Sequence, residues 1–323
     1  MPTITINGQT LHCPPQTSVL DILLNAGIAI SYACKKGTCH SCLLKSLDIA
    51  PPPGSQTGLK DTQKAQGYFL ACQCRPDENM VVQVPSHQDI YVDVAIAGKK
   101  MLNSQILELT LGFEQPFDFK AGQFVNLQRG DGLTRSYSIA NPPRPDNTIQ
   151  LHIRRLAGGK FSNWLHNEVQ IGEKISVSKP QGTCYYLPDR PQQSLLMVAT
   201  GSGLAPLAGI LTDALAQGHT GPAYLFHGSR EAEGLYLVEA MRELAAAYPN
   251  VNYFPCISGG TENPQYCSGR ANDIAIATLS NLKNWRVYIC GHPEMVSQFK
   301  KQAFLKGASL ADIYTDPFLL SPS

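Results

Sequence analysis

The segment SYACKKGTCHSC, residues 31–42, sets three thiols at the spacing C-x4-C-x2-C, and FLACQC at residues 69–74 adds two more, the first of them thirty residues beyond Cys42. Thiols held this closely in a chain without a disulfide framework point to metal ligation or redox chemistry. Cys34, Cys39 and Cys42 need a fourth partner, and either Cys72 or Cys74 can reach back to supply it. Structural zinc fits less well, because the long Cys34-to-Cys39 step replaces one of the two short knuckles such sites use.

The 323 residues allow two or three domains at ~150 residues each. With 26 Lys plus Arg against 25 Asp plus Glu, and 43% hydrophobic residues, neither disorder nor nucleic-acid capture is expected. The opening MPTITINGQTLHCPP has no basic or apolar leader character, and no apolar run approaches the ~20 residues that cross a bilayer. A soluble, cytoplasmic protein without membrane insertion is the expectation.

Around the thiols, residues 3–6 and 9–11 alternate on either side of Asn7-Gly8, a hairpin signal. A helix should follow, capped by Ser18 with Asp21 three residues on, faced by Val19, Leu20, Ile22, Leu23 and Leu24 and stopped by Gly27. The cysteine spacing is that of plant-type 2Fe-2S proteins. Gly37 in the loop and Leu70-Ala71-Cys72-Gln73 extend the likeness, and the segment resembles the plant-type ferredoxins. That resemblance implies a β-grasp-like domain over 1–88, with Cys34, Cys39, Cys42 and Cys72 as cluster ligands and Cys74 as a bystander. His40 stands where many such proteins have glycine; Lys35 and Lys36 are either a docking surface or simply solvated.

APPPGSQTG reads as a loop within this domain, and VPSHQDI, residues 84–90, as the linker out of it. From Tyr91 onward short alternating strands follow one another, broken by Gly, Pro or Asn: YVDVAIAGKKMLNSQILELTLGF, QFVNLQ, RSYSIA, TIQLHIRR and EKISVSKPQG. They predict a small antiparallel barrel over 89–187. KAGQFV, then Arg135-Ser136-Tyr137-Ser138, then Gly158-Gly159-Lys160-Phe161-Ser162 resemble the flavin site of the ferredoxin-NADP reductase superfamily. On that resemblance Arg135 binds a phosphate, Tyr137 lies on the isoalloxazine, Ser138 reaches the flavin N5 region as a catalytic group, and residues 158–162 begin a helix that receives the pyrophosphate.

After Tyr186 apolar strands alternate with helical stretches, which predicts a parallel α/β sheet over 188–323 with its ligand at the strand C-termini. Thr200-Gly201-Ser202-Gly203-Leu204-Ala205-Pro206 follows one strand and resembles the G-x-G-x-x-P form of the same superfamily; Thr200, Gly201, Gly203 and Pro206 are its nucleotide contacts. Cys290-Gly291-His292-Pro293-Glu294-Met295 resembles C-G-x-P-x-M, which puts Cys290 beside the nicotinamide as the second catalytic group, with Gly291, Pro293 and Met295 shaping the pocket. Phe318 falls where similar chains carry an aromatic that shields the flavin.

The order of the three modules is similar to the reductase components of multicomponent bacterial oxygenases and to the CDP-6-deoxy-glucoseen reductase type. The resemblance implies FAD, a 2Fe-2S cluster and electron flow from reduced nicotinamide to a terminal oxygenase or another one-electron acceptor protein. A free-standing flavin or ferric reductase and a redox-sensing module are the competing readings. In His227-Gly228-Ser229-Arg230-Glu231-Ala232-Glu233, Ser229 and Arg230 could take a 2′-phosphate, so NADPH is possible. Glu231 and Glu233 would repel that phosphate, while Arg230 can lie on adenine in either nucleotide, which favours NADH.

Overall fold

The computed structural model describes residues 1–59, 61–86, 90–259 and 263–319. The middle of the expected linker, residues 87–89, lies outside the described residues. Three sheets follow one another along the chain.

The first is built from β1 (Thr3–Ile6), β2 (Gln9–His12), β3 (Leu43–Ser46), β4 (Tyr68–Leu70) and β5 (Met80–Gln83) in the order β2-β1-β5-β3-β4. Asn7 (φ 49°) and Gly8 (φ 79°) make the expected hairpin between β1 and β2. Helix α1 (Val19–Asn25) starts where the cap pattern places it, with the Ser18 hydroxyl accepting from the Asp21 N–H at 3.2 Å. Its apolar face, Val19, Leu20, Ile22 and Leu23, is buried against the sheet. A short helix, α2 (Asp61–Ala65), leads into β4. The PPPGSQTG stretch is not a plain loop: Pro53–Gln56 forms a 3-10 turn, which the proline at its first position favours.

The second sheet contains β6 (Tyr91–Met101), β7 (Ile106–Gly112), β8 (Phe124–Gln128), β9 (Thr134–Ser138), β10 (Thr148–Arg154) and β11 (Lys174–Ser178), ordered β10-β7-β6-β11-β8-β9. All its ladders are antiparallel, and an Ile139–Leu151 bridge joins its two ends. The result is a barrel filled by the inward residues of all six strands. Helix α3 (Lys160–Asn167) closes one mouth, its Phe161 and Leu165 buried in that core.

In the third sheet β12 (Leu195–Thr200), β13 (Ala223–Ser229), β14 (Val251–Ile257), β15 (Cys267–Ser268), β16 (Arg286–Gly291) and β17 (Ile313–Pro317) run parallel in the order β15-β14-β13-β12-β16-β17. Helices α4 (Leu204–Ala216), α5 (Val238–Ala247), α6 (Ala271–Thr278) and α7 (Pro293–Leu305) cover its two faces. The chain leaves β12 toward β13 on one side and later returns to β16 on the other. Such a reversal opens a crevice at the strand C-termini. Both glycine motifs end in that crevice, after β12 and after β16.

The barrel contacts both neighbours. Toward the first sheet, Asn126 Nδ2 donates to the Cys39 carbonyl at 2.8 Å and Gln128 Nε2 to Ser31 Oγ at 2.7 Å. Toward the third, Ser138 Oγ donates to Asp316 at 2.6 Å, and His152 lies 3.1 Å from the Tyr236 hydroxyl.

Candidate cofactor sites and their geometry

The cysteine loop is shaped by left-handed backbone at Lys35 (φ 53°), Gly37 (φ 78°) and His40 (φ 54°). A Cβ on Gly37 would lie 2.8 Å from Gln73 Cγ, so the glycine accommodates both the turn and the close approach of the 70–74 segment. The N-terminus of α1 fixes that segment from behind, with Val19 N–H donating to the Cys74 carbonyl and Leu20 N–H to that of Ala71.

Within this frame the thiols stand as two pairs, Cys34 with Cys39 and Cys42 with Cys72. Backbone N–H groups of Lys36 and Cys39 point at Cys34 Sγ from 3.3 and 3.4 Å, that of Cys34 at Cys39 Sγ from 3.4 Å, and that of Cys72 at Cys42 Sγ from 3.5 Å. The bond with Cys39 brings the Cys34 thiol down to about 4, against the opposing effect of burial. Cys42 does the same for Cys72, to about 7, with Gln73 adding a further bond. Cys39 and Cys42 are raised, first by these same pairings and then by burial. One member of each pair is therefore favoured as thiolate. Two sulfurs per iron is what a two-iron cluster needs, and N–H groups aimed at sulfur tune its potential. Cys74 faces away into the domain core, where burial pushes its thiol up to about 12.

On the barrel, β9 carries Arg135, Tyr137 and Ser138. The Tyr137 ring centroid lies 6.1 Å from that of Phe161, which links the strand to α3. Helix α3 begins at Gly159 with no side-chain cap, so its first N–H groups are left for an anion. The structure narrows what Phe161 and Ser162 can offer. Phe161 is 2% exposed with its ring in the barrel core, and the Ser162 hydroxyl accepts from Leu156 N–H at 3.2 Å, so the side chains of both are already engaged within the protein.

In the crevice of the third sheet, Gly203 stands so close to β16 that a Cβ would lie 2.3 Å from the Cys290 carbonyl oxygen. Thr200 Oγ1 accepts from His292 N–H at 3.0 Å, which ties the two motif loops together. Pro206 is buried in the first turn of α4, and Pro293 opens α7. Met295 packs into the core beneath α7, and the Arg230 side chain is 89% exposed beyond β13. Phe318 N–H donates to the Gly291 carbonyl at 2.8 Å, which brings the C-terminal aromatic to the same strand end.

Sequence reading had overlooked Asp316, which sits between Cys290, its register partner across β16 and β17, and Ser138 of the barrel. Burial raises its carboxyl to about 6. The only signal in the sequence is the acid two residues before Phe318, in Tyr-Thr-Asp-Pro-Phe. Cys290 is fully buried, and its thiol is raised by that burial and by Cys184, 3.9 Å away.

Residues 4–77 match the family described as 2Fe-2S iron-sulfur cluster binding domain, 93–186 the oxidoreductase FAD-binding domain and 197–301 the oxidoreductase NAD-binding domain. A naphthalene 1,2-dioxygenase system ferredoxin–NAD(P)(+) reductase component from Pseudomonas putida is 32% identical over 319 residues, 97% of this chain and 96% of that one. The chain belongs to the ferredoxin–NAD(P)(+) reductase components. This reductase is also 26% identical over 317 residues, 94% of each chain, to a CDP-6-deoxy-L-threo-D-glycero-4-hexulose-3-dehydrase reductase of Yersinia pestis. The crystal structure of an Amycolatopsis cytochrome P450 reductase superposes with a TM-score of 0.70 at 28% identity, covering 98% of this chain and 99% of that one. The reductase thus uses a 2Fe-2S cluster, FAD and a nicotinamide dinucleotide to move electrons. No helix among the described residues is long and apolar enough to cross a membrane.

Proposed function

We propose that this reductase takes electrons from NADH and delivers them singly to a terminal oxygenase in the cytoplasm, with Cys34, Cys39, Cys42 and Cys72 holding its cluster. The observation that carries the reading is the barrel's double contact: β9 meets Asp316 of the nucleotide sheet, and β8, paired to β9, meets the Cys39 loop. The three separate sheets support boundaries near residues 88 and 187. When bound, the nicotinamide supplies a hydride, the flavin stores the electron pair and the cluster passes electrons on one at a time.

The chain's own part is positioning and proton handling. The N-terminus of α3 and Arg135 hold phosphate groups, and Tyr137 offers a ring face. The Ser138 hydroxyl keeps its proton directed at Asp316, whose carboxyl near 6 leaves roughly one molecule in ten protonated at pH 7. That carboxyl is suited to exchange a proton with the buried site through Ser138 Oγ as electrons arrive and leave. Cys290 and Cys184 close the floor of the site against water.

NADH is favoured because the Arg230 guanidinium already has the Glu231 carboxylate 3.6 Å away, and Glu233 is exposed next to it. A 2′-phosphate would meet a cation that is partly compensated and two carboxylates. The ratio of kcat/KM for NADH and NADPH tests this, and a preference for NADPH refutes it. Reduction of a purified oxygenase well ahead of free flavin or ferric citrate tests the acceptor. Equal rates would instead mark a free-standing reductase. The cytoplasmic setting is supported by ten cysteines without a disulfide among them.

A further inference from the structure

The outward face of β8 meets the cluster loop through a single buried amide. Asn126 is 1% exposed, and its side-chain amide is engaged at both ends, inside the barrel and across the domain boundary. Its Nδ2 donates to the Cys39 carbonyl at 2.8 Å, its Oδ1 accepts from Ser136 Oγ at 2.7 Å, and its backbone N–H donates to Ser178 Oγ at 2.9 Å. Ser136 is its cross-strand register partner and lies between Arg135 and Tyr137. On the other side, the Cys39 carbonyl precedes the left-handed His40 (φ 54°), a conformation that non-glycine residues rarely adopt.

We infer that Asn126 is a positioning residue for electron transfer: its amide holds the Cys39 side of the cluster loop against the flavin-bearing strand pair, so that the 2Fe-2S group and the flavin keep one fixed separation through turnover. Three observations support this over a role in barrel stability alone. The barrel core is filled by Val125 and Leu127 from the same strand, so Asn126 is not needed to fill it. A buried asparagine amide without an acceptor is unfavourable, so it needs a carbonyl to receive its N–H, and that carbonyl belongs to the cluster loop. Two residues on, Gln128 makes a second tie to the same domain at Ser31, and the pair of bonds fixes orientation where one would leave a pivot.

The inference rests on the reading that the four thiols hold the cluster, and the two fail in different ways. Loss of the cluster's electron paramagnetic resonance signal on replacing Cys34, Cys39, Cys42 or Cys72 tests the ligands and says nothing of Asn126. For Asn126 the full-length holoenzyme is used. Asn126→Asp keeps an acceptor for Ser136 but cannot donate to Cys39; Ser136→Ala removes the other bond only. After anaerobic mixing with NADH, flavin reduction should proceed at the parent rate in both. Cluster reduction should slow about tenfold to a hundredfold in Asn126→Asp and less than about threefold in Ser136→Ala. Amide hydrogen exchange in residues 32–42 should quicken in Asn126→Asp alone, a readout independent of turnover. Parent-like cluster reduction and exchange in Asn126→Asp overturns the inference, as does equal slowing in the two variants. If Asn126→Asp does not fold, Asn126→Leu, of similar size and without a charge, carries the same expectation and the same refutation.

Discussion

Ser138 and Asp316 lie 178 positions apart in the chain and meet at 2.6 Å, and that meeting governs how the reductase should respond to pH. The carboxyl stands near 6 in the folded protein, above its ordinary 3.8, because burial disfavours its charge. A raised folded value means that this group's contribution to stability is full below about pH 4 and is lost as pH rises through 6. The rate of electron delivery from NADH to the cluster should accordingly show an inflection near 6, and Asp316→Asn should flatten it and lower the rate about tenfold to a hundredfold. Stopped-flow traces between pH 5 and 8 check both effects; an unmoved inflection would assign the titration elsewhere. The cysteines give a second expectation at this scale. Cys72→Ser should abolish the cluster's electron paramagnetic resonance signal, since it removes one member of a facing pair. Cys74→Ser should keep the signal and lower the thermal midpoint, because it places a hydroxyl in a fully buried core position. Asp316 is invisible in the sequence because its contact exists only where two domains touch, whereas the spacing of Cys34, Cys39 and Cys42 is local.

Elements with local signals were legible: the Asn7-Gly8 hairpin, α1 with its Ser18 cap, and the strand-to-helix glycine turns after β12 and before α3. Those without were missed. Strands β3, β4 and β5 have three or four residues each and sit between loops. Helix α6 has no side-chain cap, and the two-residue β15 cannot show a period. β17 has no sequence signal beyond the adjacent Phe318, although it is a full parallel edge strand. Close packing between elements is also invisible to periodicity. At Gly203 an added methyl would collide with the β16 backbone, so Gly203→Ala must separate the first turn of α4 from that strand. Overpacking of this kind costs about 1–3 kcal/mol, and the displaced turn should raise KM for NADH severalfold with a smaller change in kcat. Urea midpoints measured without nucleotide separate the stability loss from the binding loss.

Across the whole molecule, each sheet has its own core, which is why modules could be divided from sequence although their contacts could not. A chain beginning at Ile90 should still reduce ferricyanide from NADH, since the barrel and nucleotide sheet keep Ser138 against Asp316. It should lose delivery to protein acceptors. Retained delivery to a protein acceptor would mean that the cluster lies off the route. The barrel's two-sided contact has one more consequence. On the function proposed above, the acceptor would be chosen at the module that touches the barrel on one side, and the nucleotide by groups on the other. Descent can therefore change the recipient of the electrons without renegotiating their source, and a single reductase plan can be refitted to many oxidations by altering the outer skin of its smallest domain.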